Sequence, residues 1–391
     1  MTRTIQISGA GHRNKGALLM LATVARVLRQ HDPQVRLALP MREMPFAIRA
    51  HYNLHYTLPP GPSLLTPRSL IKDFFSSLRG KLITRSWRDR LGLVTENELD
   101  ANIDVSGYAF GDKWPAQRTY ALAAQSRSLA ARGKPTILLP QTLGPFKRPQ
   151  MARAFQKLSQ YVKLIYAREV ESFEFARPLV TGDLLHLAPD ITISTPGTHC
   201  EPDPRPYACI VPNSKLLEPN PQQQDWGKQY VSLLVLACQT LLQQGLAVKV
   251  VLHEHDGKDV ELANTIHQQV ASPGCTQVTH WDPCVLKGIL SQAQVVVGSR
   301  FHALVSSLSS AVPCIALGWS HKYDALMRQF GTPDLLHYAD QPAEHLADLI
   351  RQTLNNHDTL RHSLQVAKTQ LAAENAKMWT QVLATIGMRG P

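Results

Sequence analysis

An arginine and a histidine stand two residues apart in the run Val295-Val-Val-Gly-Ser-Arg-Phe-His302. The run goes on to Ala311-Val-Pro-Cys-Ile-Ala-Leu317 and reads as strand, tight loop, helix, short loop, strand. Phe301, Leu304, Val305 and Leu308 recur at the spacing of a buried helical stripe. Ser299 is then a natural N-cap, with Arg300, Phe301 and His302 at the first three helical positions. Backbone N–H groups there lack an intrahelical acceptor and carry the positive end of the helix dipole. A guanidinium and an imidazole at the same spot make a seat for phosphate or carboxylate. A buried helix with two polar caps fits the same residues. The anion seat is the stronger reading, because packing alone gives a loop arginine little reason to be there.

A second polar loop follows the first strand, Gly9-Ala-Gly-His-Arg-Asn-Lys-Gly16. Its glycines let backbone approach a ligand closely. It is neither a dinucleotide fingerprint nor a P-loop: Asn14 takes the place of the third glycine, and Ala17-Leu18 follows Gly16 where Lys-Ser/Thr is required. What remains is a loop carrying His12, Arg13, Asn14 and Lys15, in which Asn14 serves equally well as a helix cap. A third loop, Asp104-Val-Ser-Gly-Tyr-Ala-Phe-Gly-Asp-Lys-Trp114, brings two carboxylates and aromatic rings together, a mixture suited to a pyranose as well as to ordinary loop structure. Arg168 stands where a strand gives way to a helix. His253-Glu-His-Asp256 ends another strand; it lacks an identifiable third metal ligand, so no metal is expected there.

These loops need elements to hold them. Strand-like runs fall at 4–8, 35–39, 103–105, 136–139 and 164–166, and then at 207–211, 247–252, 277–280, 294–297 and 314–317, with helical periodicity between most of them. That alternation predicts an α/β protein with parallel sheets covered on both faces. Pro196, Pro202, Pro204 and Pro206 fall between the two sets and resist both helix and central strand. The expected organisation is therefore an N-terminal Rossmann-like domain at 1–194, a linker at 195–206 and a C-terminal Rossmann-like domain at 207–391. Ligands are expected in a cleft at the carboxyl ends of the strands. An insertion at about 58–95 carries a candidate amphipathic helix over 69–91, with seven basic and two acidic residues between Arg68 and Arg90. It reads as a helix packed on its sheet, or as a membrane-surface helix.

The net charge of +11 favours anionic partners. No zinc-finger spacing or basic tail points to nucleic acid. Six scattered cysteines, with no Cys-x-x-Cys pair, read as reduced thiols. With no signal-like start and no long apolar run, the expectation is a cytoplasmic protein, with peripheral contact at the inner membrane face as an added reading.

Taken in order, several segments resemble the polysaccharide pyruvyl transferase family. They are Asn14-Lys-Gly-Ala, Ser106-Gly-Tyr-Ala-Phe-Gly-Asp112, Pro140-Gln-Thr-Leu-Gly-Pro-Phe146, Ala167-Arg-Glu-x-x-Ser172, Pro189-Asp190, His253-Glu254, Ser299-Arg-Phe-His-Ala303 and Gly318-Trp-Ser-His-Lys322. Ala17 stands where many relatives have an acidic residue, and Tyr108-Ala109 where they have paired glycines. The resemblance implies two facing domains of the GT-B kind, with phosphoenolpyruvate as co-substrate, no other cofactor, and a sugar or glycan acceptor, lipid-linked or not. The donor is expected on the C-terminal domain and the acceptor on the N-terminal one. Arg168, Arg300, His302 and Lys322 then become cationic anchors, and His302 an anchor or an acid. His12, Asp104 and Asp112 become candidate bases. Asn14, Lys15, Gly16, Ser299, His253 and Glu254 become binding residues. On this reading Arg300→Ala abolishes turnover and leaves the fold intact. A nucleotide-sugar glycosyltransferase on the same architecture is the rival enzyme, and a glycan-assembly scaffold the non-enzymatic one.

Overall fold

The computed structural model describes residues 2–41, 44–58, 84–201, 203–218, 226–227, 229–254, 257–318 and 320–388. The chain divides by internal contacts into two compact units. The first comprises Met1–His12, Met20–Ala188 and Lys377–Pro391, and the second Arg13–Leu19 and Pro189–Ala376.

In the first unit an all-parallel sheet is built from β1 (Thr4–Ser8), β2 (Arg36–Pro40), β3 (Leu54–Leu58), β4 (Leu93–Thr95), β5 (Ala101–Asp104), β6 (Thr136–Gln141), β7 (Leu164–Ala167) and β8 (Leu185–Leu187). Their spatial order is β4-β3-β2-β1-β5-β6-β7-β8. The order reverses between β1 and β5, the point at which doubly wound sheets take their ligands. Helices α1 (Lys15–His31), α2 (Phe46–His51), α3 (Arg85–Arg90), α4 (Ala116–Ala130), α5 (Pro149–Ser159) and α6 (Val170–Ala176) lie in the connections. The central strands are buried throughout; β6 and β7 carry apolar runs, whereas β1 and β5 alternate apolar with polar residues that pair with each other, Gln6 Nε2 donating to Asn102 Oδ1 at 3.0 Å.

The second unit repeats the scheme. β9 (Tyr207–Val211), β10 (Ala247–Val251), β11 (Cys275–Val278), β12 (Val296–Gly298), β13 (Cys314–Leu317) and β14 (Leu336–His337) form a parallel sheet in the order β11-β10-β9-β12-β13-β14. Its switch point falls between β9 and β12. The helices are α7 (Tyr230–Gln243), α8 (Gly257–Val270), α9 (Pro283–Ser291), α10 (Phe301–Leu308), α11 (His321–Gln329), α12 (Ala343–Asn355) and α13 (His357–Thr385). A single apolar cluster fills this unit and takes in Phe301, Leu304, Val305 and Leu308, the stripe expected of α10. No described helix is long and apolar enough to cross a membrane.

The contact division differs from the expected boundaries in three places. The break falls between Ala188 and Pro189, upstream of the prolines. The segment expected as a linker packs on α9: Thr198 N–H donates to the Cys284 carbonyl at 2.9 Å and Gln292 Nε2 to the Cys200 carbonyl at 2.8 Å. Prolines prevent regular structure in it without freeing it from the core. Residues 13–19 group with the second unit because Lys15 N–H donates to the His253 carbonyl at 3.0 Å and Asn14 bridges Glu254 in an antiparallel sense. The end of α13 groups with the first unit, where Tyr166 Oη donates to Gln381 Oε1 at 2.7 Å. Of the helix expected over 69–91, residues 69–83 lie outside the described residues; the described part is α3, which ends at Arg90.

Candidate functional site

Nine of the thirteen residues singled out from the sequence come together in the second unit: Asn14, Lys15, Gly16, His253, Glu254, Ser299, Arg300, His302 and Lys322. The other four, His12, Asp104, Asp112 and Arg168, belong to the first.

The second-unit cluster is built around the start of α10. The helix begins one residue later than the sequence predicts, with Arg300 as its N-cap. Ser299 is not the cap, because its side chain is taken elsewhere: fully buried, its Oγ hydrogen-bonds the Tyr230 hydroxyl. The Ser299 carbonyl accepts from Asn213 Nδ2 at 3.1 Å and from Tyr323 Oη at 2.7 Å. The loop is thus fixed from three sides before α10 starts.

Arg300 is buried, and its guanidinium is shared by two carboxylates, Nη1 donating to Glu254 and Nη2 to Asp259. Burial alone would lower its affinity for a proton, and the two acids more than reverse this. Asp259 is itself completely buried and accepts from Ser214 N–H at 2.9 Å. Arg300 is therefore a strut joining β10, α8 and α10, not a spare cation. This changes the expected result of removing it. Arg300→Ala leaves the fully buried Asp259 and the partly buried Glu254 uncompensated and should cost about 3–5 kcal/mol of stability. Thermal unfolding checks this: a clear fall in the midpoint is expected, and an unchanged midpoint would show that the strut contributes nothing.

His302 sits differently. Its Nε2 faces Asp190 Oδ2 at 3.4 Å, an ion-pair approach longer than a closed hydrogen bond. Asp190 is buried and held in place: Oδ1 accepts from Thr192 N–H at 2.9 Å and Thr192 Oγ1 at 2.6 Å, and its backbone carbonyl accepts from Asn375 Nδ2 at 2.9 Å. A fixed carboxylate behind an imidazole selects the ring's orientation. On its other side the ring rests on Gly16, where a Cβ would lie 2.2 Å from His302 Nδ1. Gly16 follows Asn14, whose Oδ1 accepts from the N–H groups of Gly16 (2.9 Å) and Ala17 (3.3 Å), so Asn14 caps α1. The polar loop after β1 thus shapes the histidine's seat.

Two lysines lie in the same region. Lys15 is buried, its Nζ donating to the Trp281 carbonyl at 3.1 Å. Burial lowers its pKa to about 8, against the pull of Asp282. Lys322 Nζ lies 5.5 Å from the centre of the Phe301 ring, next to His302, and 5.4 Å from that of Tyr323. His253 is buried and meets Lys15 through its backbone carbonyl. Among the described residues no group of three or more His, Cys, Asp or Glu could hold a metal ion; His255 and Asp256 lie outside them.

In the first unit a cavity of about 370 Å³ opens at the carboxyl ends of β1 and β5, lined by Ser8, Asp104, Ser106, Tyr108, Trp114 and Arg118 among others. Its volume suits a small ligand. Gly9, at φ +78°, is needed there, because a Cβ would come 2.2 Å from Ser106 Oγ. Asp104 is buried and accepts from Ser106 N–H (3.0 Å) and Ser106 Oγ (3.1 Å). Tyr108 and Trp114 meet edge to face, ring centres 6.4 Å apart. Asp112 is engaged with the backbone, where its oxygens accept from the N–H groups of Lys147 (2.6 Å) and Arg148 (3.0 Å) and clasp one loop to the next. Arg168, expected as an anchor, is buried against Glu169 (2.9 Å) and Thr142 Oγ1 (2.7 Å). Burial would raise the Glu169 carboxyl, but Arg168 and the hydroxyls of Ser172 and Thr142 outweigh it and hold the group below its ordinary value. Arg168 is a latch between β6 and β7. His12 is half-buried at the end of this unit's first segment.

Sequence reasoning quoted Asp190 and Glu169 within motifs but gave them no role, and it missed Asp259. An aspartate two residues before a threonine signals a local turn. Nothing in the sequence shows that His302 packs against it.

Two doubly wound parallel sheets, each with a polar cluster at its switch point, make a GT-B-like fold. The likeness extends over whole chains. UDP-GlcNAc 2-epimerase from Neisseria meningitidis superposes with a TM-score of 0.63 at 10% identity, covering 98% of this chain and 100% of the other. The S. aureus MnaA–UDP structure gives 0.62 at 8% identity, covering 100% and 99%. Anabaena Alr3699/HepE with UDP and glucose gives 0.58 at 12% identity, covering 98% and 99%. At these identities the likeness speaks for the fold alone. The polysaccharide pyruvyl transferase model matches residues 14–321, and the chain belongs to that family. It is a transferase. The amylovoran biosynthesis protein AmsJ of Erwinia amylovora is 21% identical over 335 residues, covering 80% of this chain and 78% of AmsJ.

Proposed function

We propose that the protein transfers the pyruvyl group of phosphoenolpyruvate to two hydroxyls of one sugar in a polysaccharide or its precursor, forming a cyclic ketal and releasing phosphate. The pairing of His302 with a fixed buried carboxylate, Asp190, carries this reading. An oriented imidazole at a helix N-terminus is suited both to hold an anion and to move a proton near neutral pH. Lys322 supplies positive charge at the same helix start, and Lys15 a second ammonium that is charged below about pH 8.

A proton added to the enol methylene of phosphoenolpyruvate gives a methyl group and an oxocarbenium-like centre at the pyruvyl carbon. One sugar hydroxyl adds there and loses its proton to a base. The phosphate leaves with its bridging oxygen, and the second hydroxyl closes the ketal as its proton is lost. His302 is assigned the acid role, with α10 and Lys322 offsetting the charge on the departing phosphate. The acceptor sugar is assigned to the first-unit cavity, where Trp114 and Tyr108 offer ring faces and Asp104 is the candidate base. The relationship to AmsJ supports a role in polysaccharide assembly.

Thermal shift separates donor classes. Phosphoenolpyruvate should raise the unfolding midpoint at concentrations where UDP-sugars do not. Stabilisation by UDP-sugars alone would favour the glycosyltransferase reading. Inorganic phosphate released from phosphoenolpyruvate, only when a sugar acceptor is present, should follow.

A further inference from the structure

At the β4 edge of the first unit, large apolar side chains stand in solvent beside arginines. Phe46 is 79% exposed, Trp87 59% and Leu91 52%. β2, β3 and β4 step outward in one direction, with α2 between β2 and β3 and α3 leading into β4. Arg49 ties the two: its guanidinium lies 4.3 Å from the Tyr56 ring centre, and its Nη2 would lie 3.5 Å from a Cβ on Gly92, the residue after Leu91. The Arg90 guanidinium lies 5.7 Å from the Trp87 ring centre. The acids of this edge are already matched, Asp89 with Arg36 at 3.4 Å and Glu98 with Arg88 at 3.3 Å. Among the described residues the face is therefore apolar and net positive.

We infer that this face docks on a membrane surface bearing anionic headgroups. Tryptophan and phenylalanine beside arginine are what an interfacial surface requires: rings settle at the headgroup level while guanidinium groups meet lipid phosphate. The net charge of +11 adds long-range attraction. A second copy of the chain is the poorer occupant. A two-fold interface would set this net-positive face against an identical one, adding like-charge repulsion to apolar burial. This inference is independent of the pyruvyl-transfer reading, because its test reads lipid binding and not turnover.

The test is co-sedimentation of the full chain with vesicles of phosphatidylcholine, with and without phosphatidylglycerol, at low and high salt. Binding is expected to the anionic vesicles only, and to weaken as salt rises. Arg90→Glu should reduce binding about tenfold or more, and Phe46→Ser with Trp87→Ser at least as much, with circular dichroism unchanged. Wild-type protein left in the supernatant with anionic vesicles would overturn the inference. So would equal binding by these variants, or a dimer in sedimentation velocity that the same variants dissociate while vesicles bind nothing.

Discussion

On the proposed mechanism His302→Gln should lower kcat by about 10²–10⁴-fold with little change in the unfolding midpoint, because the proton donor is lost while the side chain contributes little to the core. Its side chain is 13% exposed, whereas the apolar residues of α10 around it are almost fully buried. Asp190→Asn should lower kcat by about 10–100-fold, the range seen when an orienting partner is lost. The amide keeps the shape, and its oxygen can still accept from Thr192, so the local turn survives. Only the negative charge facing Nε2 goes. If His302→Gln turns over at near the wild-type rate, another group donates the proton. If Asp190→Asn alone is unaffected, the 3.4 Å approach is incidental.

Gly16→Ala is the second large effect, and it arises without removing any polar atom. Alanine is the better helix former by about 1 kcal/mol in a helix interior, so α1 itself should not weaken. The new methyl would stand 2.2 Å from Nδ1, 2.5 Å from Cγ and 2.8 Å from Cβ of His302. A clash reaching Cβ is not relieved by turning the ring, so the whole side chain must leave its place opposite Asp190. A displacement near 1 Å at a catalytic group costs on the order of 10²-fold in rate. Steady-state kinetics with a melting curve checks the point: a large loss of kcat at near-normal stability is expected. Wild-type turnover in Gly16→Ala would show that the seat is looser than its geometry. The glycine reads in the sequence as room for a ligand; in the fold that room is filled by His302.

Strands buried on both sides were legible where they are unbroken apolar runs, as at Tyr207–Val211 and Cys314–Leu317, and at Thr4–Ser8 through its isoleucines; at all three the expected and observed bounds coincide. The strands that escaped notice, β3, β4, β8 and β14, are short or lie at or near a sheet edge, and none except β14 is buried throughout. Edge strands need less apolar surface and leave a weaker pattern. For the site, residue types were legible and partnerships were not. Arg300 and Arg168 looked alike in sequence; Arg300 proved to be balanced by Glu254 and Asp259, far away in the chain, and Arg168 by Glu169 next door in it. Local spacing shows which side chains a helix start presents; it does not show which charges are already neutralised. The family resemblance supplied the order of the motifs, and the fold supplied the reason why Asn14-Lys-Gly belongs with His253-Glu254.

The most direct test follows the carbon. Phosphoenolpyruvate labelled with carbon-13 at the pyruvyl carbon and oxygen-18 at the bridging oxygen is incubated with the protein and a panel of sugar and glycan acceptors. The proposed reaction predicts a quaternary ketal carbon on the acceptor, a new methyl group, and the oxygen-18 in released phosphate. Label that stays in free pyruvate whatever acceptor is offered, or oxygen-18 retained on the acceptor-bound carbon, would contradict it.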